Sequence, residues 1–392
     1  MKIVLFSDYY YPIVKSGSIV INDLAKELTT RGHEAIVVTF NDHQSEKLTD
    51  TIEDGIRIIR IKSKLRTYGM IGRLLAEIRY SALIINSLKK LQISGIDGLI
   101  SYSPSIFYSK AIAWLKRSYG IKTYLIVRDI FPKWLIDAGI LRKGPLYFFF
   151  KREEKRLYKS VDFIGIESEK DLDYFRQYLS GATLLEVLDN WGSSINLNEI
   201  KNQKSQLLPQ NKVNIIYGGN MGDAQDLYSL LSNLDDTLLE GKAKLTLIGS
   251  GHQLEGIKSL IAEKNFKNVE LFKEVSQKKY LSILNEADIG LVSLNSNLKS
   301  NNFPLKMMGY IQQGKPILAS VNRGNEIIEI IEKSQIGEVS LAGDKQALNK
   351  NVSLMINDKA RLKEQGVRAL KVFNDRFTVN IAVDKILNKI DK

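Results

Sequence analysis

The sequence contains no cysteine, which excludes a disulfide framework, a thiol nucleophile and a thiolate metal site. Histidine is scarce as well: His33, His43 and His252 are the three present, and their wide separation gives no pattern of a zinc cluster. The absence of disulfide-forming residues fits a reducing compartment.

Long hydrophobic runs are also missing. The first apolar run, in "MKIVLFSDYYYP", stops before Asp8 and is shorter than the ~7–15 residues of a signal-peptide core. No other run approaches the ~18–20 apolar residues of a membrane span. We therefore expect a cytoplasmic chain that does not cross a membrane.

Acidic residues are too few to balance the basic ones. The chain has 56 Lys and Arg against 44 Asp and Glu, a formal charge of +12. Such a charge attracts nucleic acid, anionic lipid or phosphorylated substrates. No nucleic-acid recognition motif is present, so the last two are favoured.

The 392 residues alternate between strand and helix patterns in two similar halves. "KIVLF" and "EAIVVTF" flank a helical segment that Gly32 terminates, and from residue 213 the strands "VNIIYGGN", "AKLTLIGSG", "NVELF", "ADIGLVSL" and "KPILAS" follow. Repeated β-α-β units indicate parallel sheets that bind ligands at the carboxyl ends of their strands. We predict α/β domains at 1–191 and 213–374, a polar linker at 192–212, and a C-terminal helix at 375–392 packed on the first domain.

Two joints of the second half are rich in glycine. "IIYGGNMGDAQDL" (215–227) places Gly218 and Gly219 between a strand and a helix start, an arrangement that suits phosphate. "LIGSGHQ" (247–253) is similar. Neither is the GxGxxG fingerprint, which disfavours a dinucleotide oxidoreductase, and a plain turn remains the alternative.

The segment "SNNFPLKMMGYIQQGKPILAS" (300–320) carries a stronger signal because its parts agree. Asn301 or Asn302 can cap a short helix, about Pro304–Gln313, and Gly314 ends it. Lys306 in the first turn opposes the helix dipole, which makes sense if an anion lies in front of it. The alternative is an ordinary surface lysine.

Four motifs together resemble one family. "RDIFPKWLIDAGIL" (128–141), "VLDNWGSSINL" (187–197), "YGGNMGDAQDL" and "NFPLKMMGYIQQGKPILAS" are similar to glycosyltransferases of family 4. Within it they look most like the bacterial L-fucosamine (N-acetyl-L-fucosamine) transferases of O-antigen and capsule synthesis. The resemblance implies the GT-B fold, in which two Rossmann-like doubly wound domains face each other across an interdomain cleft.

The resemblance also implies a sugar-nucleotide donor held mainly by the C-terminal domain and an acceptor held mainly by the N-terminal one. We expect the donor to be a UDP-sugar and expect that no metal and no cofactor is required. The family usually carries two glutamates where this chain has Asn301 and Gly309, so ribose recognition must differ. Gly309 then either gives the helix close approach to the donor or serves packing. The donor-binding residues implied by position are Gly17 in the first loop, Gly219, Asn220, Lys273, Val275, Asn302, Phe303, Pro304 and Lys306.

Few residues are candidates for the chemistry. Asp129 ends the strand "KTYLIVRD", after Arg128, and can accept the proton of an acceptor hydroxyl or orient a sugar. It can instead cap the turn ahead of Pro132. Cationic side chains and helix dipoles suffice to stabilise a leaving diphosphate.

Basic and apolar residues are interleaved in two segments of the first half. Residues 57–90 hold nine Lys and Arg with one acid, Glu77, and 141–160 repeat the mixture. This profile is typical of a surface that contacts anionic lipid, and a solvated helix face is the alternative. The candidate acceptor or membrane residues are Lys62, Lys64, Arg66, Arg73 and Trp191.

These patterns favour a peripheral enzyme at the inner face of the membrane. It would move a sugar from UDP to a lipid-diphosphate-linked saccharide. Two alternatives remain: a sugar-nucleotide epimerase or hydrolase of the same fold, and a catalytically silent subunit of a glycan-assembly complex.

Overall fold

The structure is a computed structural model that describes residues 1–13, 15–63, 69–137, 139–176, 179, 183–192, 205, 207–298 and 304–391. Two compact units divide the chain: Met1–Ser193 with Val379–Lys392, and Ser194–Thr378. The boundary between the units lies in the polar segment 192–212, most of which is outside the described residues.

The first unit is built on an eight-stranded sheet of order β3-β4-β2-β1-β5-β6-β7-β8. All neighbouring strands are parallel except β3 and β4. The buried parallel strands are continuous apolar runs because helices cover both faces of such a sheet. The strands are β1 (Lys2–Phe6), β2 (Glu34–Phe40), β3 (Leu48–Glu53), β4 (Ile56–Ile61), β5 (Gly98–Tyr102), β6 (Lys122–Val127), β7 (Phe163–Ile166) and β8 (Leu184–Val187).

A β-hairpin in this sheet was missed by the sequence analysis. Asp54 and Gly55 join β3 to β4 with φ angles of 50° and 77°, the left-handed pair of a type I′ turn. The sequence "DG" between two strands is the usual signal for that turn. The basic segment at 57–90 therefore begins with a strand, β4, whose antiparallel partner carries acidic residues.

The helices of the first unit connect and cover these strands. Gly32 ends the first helix with a φ of +82°, which confirms the predicted terminator. The helices are α1 (Ser16–Thr30), α2 (Gly69–Ile78), α3 (Tyr80–Lys90), α4 (Ser109–Tyr119), α5 (Lys133–Asp137), α6 (Pro145–Ser160) and α7 (Leu172–Arg176), with a 3₁₀ turn at Glu169–Asp171.

The second unit holds a parallel six-stranded sheet of order β11-β10-β9-β12-β13-β14. Its last strand, Gly337–Leu341, was not among the five predicted. The strands are β9 (Val213–Asn220), β10 (Ala243–Ser250), β11 (Val269–Lys273), β12 (Ile289–Ser293), β13 (Ile317–Val321) and β14 (Gly337–Leu341). The helices are α8 (Leu227–Asn233), α9 (Leu254–Glu263), α10 (Gln277–Glu286), α11 (Leu305–Gln312), α12 (Glu326–Ser334), α13 (Lys345–Asn357) and α14 (Lys359–Arg376), with a 3₁₀ turn at Asp236–Leu239.

The last helix, α15 (Val379–Ile390), belongs to the first unit. Its buried side chains, among them Val383 and Ile386, join the core that contains α1 and β1. Arg31 fixes the contact at the surface, where it pairs with Asp384 and donates a hydrogen bond to the carbonyl of Asn380 at 3.0 Å.

Each sheet has a point where the strand order reverses. It lies between β1 and β5 in the first unit and between β9 and β12 in the second. Connections leave these neighbouring strands toward opposite sides, which opens a crevice at their carboxyl ends where ligands bind in open α/β sheets. Among the described residues, no helix is both long and apolar enough to cross a bilayer.

Candidate functional site

The reversal point of the second unit carries the Gly-Gly joint predicted from the sequence. Gly218 packs so tightly under the ring of Tyr280 that an added methyl group would lie 2.2 Å from it. Gly219 has a φ of +127°, a conformation that glycine alone adopts readily. Close packing therefore explains the glycine at 218, and the backbone conformation explains the glycine at 219. The joint they form lies close to the start of α11.

Lys306 projects from the first turn of α11 toward this joint. Its Nζ lies 3.7 Å from the centroid of the Tyr217 ring, and a methyl group at Gly219 would lie 3.6 Å from it. Nζ is buried and has no hydrogen-bond partner among the described residues. Burial lowers the pKa of Lys306 to about 7. A buried ammonium with only a π face beside it is costly, unless an anion completes its surroundings.

A tyrosine that the sequence analysis did not single out fixes the crevice. Tyr310 is fully buried and joins the two strands at the reversal point. Its hydroxyl accepts the backbone N–H of Gly218 at 3.3 Å and donates to the carbonyl of Leu291 at 3.2 Å. Burial raises the pKa of Tyr310 to about 12, so the hydroxyl stays protonated. The spacing of apolar residues in α11 indicates that Tyr310 is a core residue. Its place at the crevice is visible only in the folded structure.

The loops after β9 and β10 form the rim of this crevice. The side-chain amide of Asn220 donates to Gln225 Oε1 at 2.9 Å, and the backbone N–H of Met221 donates to the Ser250 carbonyl at 2.7 Å. His252, which the sequence analysis set aside, lies 2.7 Å from Asp223 through Nε2. Asn220 thus lies at the carboxyl edge of the sheet, as predicted, and its side-chain amide is already hydrogen-bonded to Gln225.

The remaining donor residues lie farther along the same edge or outside the described part. Lys273 ends β11 and is exposed, and Val275 is 39% exposed in the following loop. Pro304 is the N-cap of α11. Asn301, Asn302 and Phe303 lie outside the described residues.

Gly309 lies inside α11, and the structure gives it no close contact. An added methyl group would meet one described atom within 4 Å, Leu284 Cδ2 at 3.9 Å, which is ordinary van der Waals distance. The packing explanation for this glycine is therefore not supported by the described neighbours.

We expect Gly309→Ala to raise the free energy of unfolding by about 0.5–1 kcal/mol, because alanine is the better helix former and nothing described crowds it. Urea denaturation measures the change. Gly290→Ala is the matched control: its methyl group would lie 2.3 Å from the Tyr310 ring, so that variant should be destabilised. A loss of stability in Gly309→Ala would show that the site is crowded.

The first unit presents Asp129 at the carboxyl edge of its sheet, directly after β6. The residue retains exposed surface, and its carboxylate has no hydrogen bond or ion pair among the described residues. Protein packed around it desolvates the carboxylate and raises its pKa. The carboxylate therefore caps no described turn, and it stands free at the edge.

Arg128, the other candidate for the chemistry, uses its guanidinium to hold backbone. Its guanidinium donates to the carbonyls of Leu188 at 2.8 Å and Asp189 at 3.2 Å, and it lies 5.6 Å from the ring centroid of Trp191. These bonds fasten the segment after β8 to β6. Arg128 consequently positions the edge on which Asp129 lies, and its terminal nitrogens are already occupied.

Two further residues complete this edge. Tyr102 ends β5 and is buried, and its pKa is raised by burial and, more weakly, by the nearby carboxylates of Asp129 and Glu167. Glu167 follows β7 and accepts a hydrogen bond from the side-chain amide of Asn190. The sequence analysis missed both, because only the strand order brings the ends of β5, β6 and β7 together.

Two predicted residues lie elsewhere than expected. Gly17 is in the first turn of α1 and not in a loop, and an added methyl group there would lie 2.9 Å from the Tyr102 ring. Trp191 is 3% exposed, so its indole is part of the core and not of a membrane surface.

The basic segment at 57–90 is less free than its sequence suggested. Arg57 forms a bidentate pair with Asp50 at 2.9 and 2.7 Å, and Arg60 is buried against Glu53. Strand β3 supplies both acids, so the hairpin neutralises part of the charge. Arg73 pairs with Glu77 at 2.8 Å, Lys62 donates to the Ser45 carbonyl at 3.4 Å, and Lys64 and Arg66 lie outside the described residues.

The second segment, 141–160, has the clearer surface character. Phe148 is 65% exposed on α6, and two exposed lysines follow it, Lys155 and Lys159, which form no ion pair among the described residues. Arg152 and Arg156 are exposed as well and pair with Glu153. Phe150, Leu157 and Tyr158 form the buried side. Other exposed apolar side chains nearby in the sequence are Trp134 (41%), Ile140 (66%) and Leu146 (46%).

The comparisons with known proteins agree with this arrangement. Residues 198–371 match the family described as Glycosyl transferases group 1. The matched segment lies in the second unit. The match covers the Gly-Gly joint, the loop after β11 and all of α11.

Two curated relatives are similar to part of the chain. One is the "Probable glycosyltransferase WbjE" of Pseudomonas aeruginosa, 25% identical over 228 residues, with 57% of each chain covered. The other is the "Putative colanic acid biosynthesis glycosyl transferase WcaI" of Escherichia coli (strain K12), 20% identical over 275 residues, with 64% of this chain and 66% of the relative covered. The chain thus matches somewhat more than half the length of these relatives.

The fold is shared with solved structures over nearly the whole chain. An Escherichia coli structure described as "Trehalose-6-phosphate from E. coli bound with UDP-2-fluoro glucose" superposes with a TM-score of 0.71 at 13% identity, covering 99% of this chain and 98% of that one. Together with the two parallel-sheet units, this similarity confirms the predicted GT-B fold.

Proposed function

We propose that the protein is a glycosyltransferase that moves a sugar from a UDP-sugar to a lipid-diphosphate-linked saccharide in surface polysaccharide synthesis. The observation that carries the proposal is the buried ammonium of Lys306 beside the Gly219 joint, which has no hydrogen-bond partner among the described residues. It lies within the segment that matches the glycosyl transferases group 1 family, at the sheet edge where α/β folds bind ligands.

The donor diphosphate would occupy the space in front of Lys306. An anion there would restore the charge interaction that burial removes, so donor and lysine would stabilise each other. Gly219 lets the backbone approach the phosphates, and the start of α11 adds a favourable dipole. UDP is the leaving group when the sugar passes to the acceptor. Lys306 would stabilise the negative charge that develops on the diphosphate, without a metal ion or cofactor.

The acceptor hydroxyl would lie at Asp129. Its carboxylate has no other described partner, and its raised pKa makes it a better proton acceptor than an ordinary aspartate. Tyr102 and Glu167, at the ends of the adjacent strands, would orient the acceptor sugar. Arg128 acts through the backbone carbonyls it holds, as a positioning residue.

The donor sugar follows from the sequence resemblance. The motifs around the Gly-Gly joint and α11 resemble the L-fucosamine transferases, and the name of one relative refers to colanic acid, a polysaccharide. We therefore propose N-acetyl-L-fucosamine or a similar amino sugar as the group transferred.

A lipid-linked acceptor requires the enzyme to dwell at the inner face of the membrane. The exposed apolar residues at 134–148 and the basic side of α6 together fit an anionic lipid surface. Each basic residue near such a surface contributes about 1 kcal/mol, so a few acting together give reversible attachment.

We expect the protein to co-sediment with anionic liposomes and to be released at high salt, because the attraction is screened beyond about 8 Å at physiological ionic strength. Phe148→Ser with Lys155→Glu should reduce binding severalfold. Ile52→Ser, which replaces a 75% exposed residue on β3, is the matched control and should bind normally. Equal binding to neutral and anionic vesicles would contradict membrane attachment through charge.

A catalytically silent subunit is the alternative that a simple measurement separates. A protein that binds a ligand in the folded state alone is stabilised by about 2.7 kcal/mol at a hundredfold excess over Kd. UDP should therefore raise the melting temperature of the wild-type protein, and adenosine diphosphate should raise it less. Absence of any shift with UDP would favour the silent subunit.

A further inference from the structure

A cavity of about 660 Å³ lies at the amino edge of the second sheet, opposite the edge that carries Lys306. The loop before β9, the turns before β12 and β13, and one side of α14 surround it. Gly314 and Gly366 set its shape: a methyl group at 366 would lie 2.4 Å from the Gly314 carbonyl oxygen, so helix and turn touch at this point. Its volume is within the range of small-molecule sites.

The charges around this cavity are predominantly positive. Lys212, Lys359 and Lys363 line it, and no described residue pairs with their ammonium groups. Lys359 and Lys363 are one turn apart at the start of α14, where two like charges repel each other and also oppose the helix dipole. An anion between them would offset both effects.

A fourth lysine and the two acids of the cavity are already engaged. Lys315 donates to the carbonyl of Asn285 at 2.8 Å. Asp288 accepts the backbone N–H of Asn214 at 2.8 Å, and Glu286 accepts that of Ser205. The carboxylates thus hold the backbone, which leaves Lys212, Lys359 and Lys363, the lysines without a described partner, as the dominant charge.

Asn214 supplies an independent sign of a ligand. It lines the cavity, is 4% exposed, and its Oδ1 has no partner among the described residues. The amide cannot be turned around, because its nitrogen donates to the carbonyls of Pro209 and Lys212 at 2.9 and 3.2 Å. A buried acceptor without a described donor can accept an N–H or O–H group of a bound molecule.

The rest of the cavity wall is apolar. Leu208 and Leu362 are buried, and Val367 and Leu370 remain 66% and 41% exposed at the opening. A bare inorganic anion would satisfy the lysines but neither Asn214 nor this wall. A molecule with a phosphate group, a hydrogen-bond donor and a flat or apolar body would satisfy all three.

We propose that this cavity binds a nucleotide-sized organic phosphate at a second site, separate from the donor site. The lysines would hold the phosphate, Asn214 would accept from the base or sugar, and the apolar wall would cover the remainder. The ligand would act as an effector, because no group placed at the sites of transfer lies at this edge.

Calorimetric titration of the full chain with uridine monophosphate, adenosine monophosphate, ribose 5-phosphate and inorganic phosphate tests the proposal. Lys306→Met serves as the background, because it removes the cation of the donor site. We expect at least one organic phosphate to bind with a stoichiometry of one and more tightly than inorganic phosphate. Loss of saturable binding for all four would overturn the proposal.

Two cavity variants locate the bound ligand. Lys359→Glu with Lys363→Glu, and separately Val367→Trp, should each weaken binding about tenfold or more, the first by charge and the second by filling the opening. Lys258→Glu with Lys371→Glu changes the net charge equally at exposed positions outside the cavity and should have little effect. Binding that survives both cavity variants would place the ligand elsewhere, whatever the outcome for the donor site.

Discussion

Asp129→Asn is expected to lower turnover by about 10²–10⁴-fold while UDP affinity stays near that of the wild type. Asparagine keeps the shape of the side chain but cannot take the proton of the acceptor hydroxyl. The carboxylate makes no described hydrogen bond or ion pair, so the substitution should leave the fold intact. Steady-state kinetics and calorimetry on the same preparation measure both quantities.

The pH profile gives a second measure of this residue. Desolvation raises the pKa of Asp129, so the wild-type rate should fall as the pH drops through that raised value and the base becomes protonated. The variant should lack this acid limb. Asp173→Asn, at an exposed position on α7, is the control and should keep wild-type activity. A variant at Asp129 that retains full turnover, or one that unfolds, would remove Asp129 from the chemistry.

Lys306→Met is expected to weaken UDP binding by about 1.5–3 kcal/mol, the usual loss for a charge-assisted hydrogen bond. The same substitution should raise the stability of the ligand-free protein, because it removes a buried ammonium that has no described hydrogen-bond partner. Weaker UDP binding together with a more stable ligand-free protein would indicate that Lys306 binds the ligand and does not stabilise the fold. Lys258→Met, at an exposed position on α9, should change neither.

Protonation of Lys306 links both effects to pH. Its pKa is about 7 in the folded protein against an ordinary value of 10.5, so the unfolded chain binds more protons between these values. The contribution of this group to the free energy of unfolding therefore rises with pH over that range. Bound UDP would raise the pKa again, so UDP affinity should fall as the pH increases above about 7. A pH-independent affinity equal in wild type and Lys306→Met would contradict this role.

The architecture could be predicted from the sequence because the patterns that indicate strands and helices are local. Apolar runs such as "KIVLF" and the terminator Gly32 predict strand and helix without reference to the rest of the chain. The short helix around Lys306 was predicted to within about a residue at each end for the same reason. Strand β14, whose residues are mostly only half-buried, has a weaker apolar pattern and was missed.

The site was harder to predict because its parts come from separate strands. Tyr102, Asp129 and Glu167 are far apart in the sequence, and the order of β5, β6 and β7 alone makes them neighbours. The sequence also does not show which residues form ion pairs with each other. Arg60 was taken as a surface cation, and the hairpin buries it against Glu53.

Product analysis tests the central claim, glycosyl transfer from a UDP-sugar, most directly. The wild-type protein is incubated with UDP-amino sugars, UDP-glucose and UDP-galactose, and with a short-chain prenyl-diphosphate-linked saccharide, and products are identified by mass spectrometry. We expect an acceptor heavier by one sugar residue, with UDP released in equal amount, and a rate of product formation about 10²–10⁴-fold lower for Asp129→Asn. UDP release without a heavier acceptor, or no turnover of any donor that binds, would contradict it.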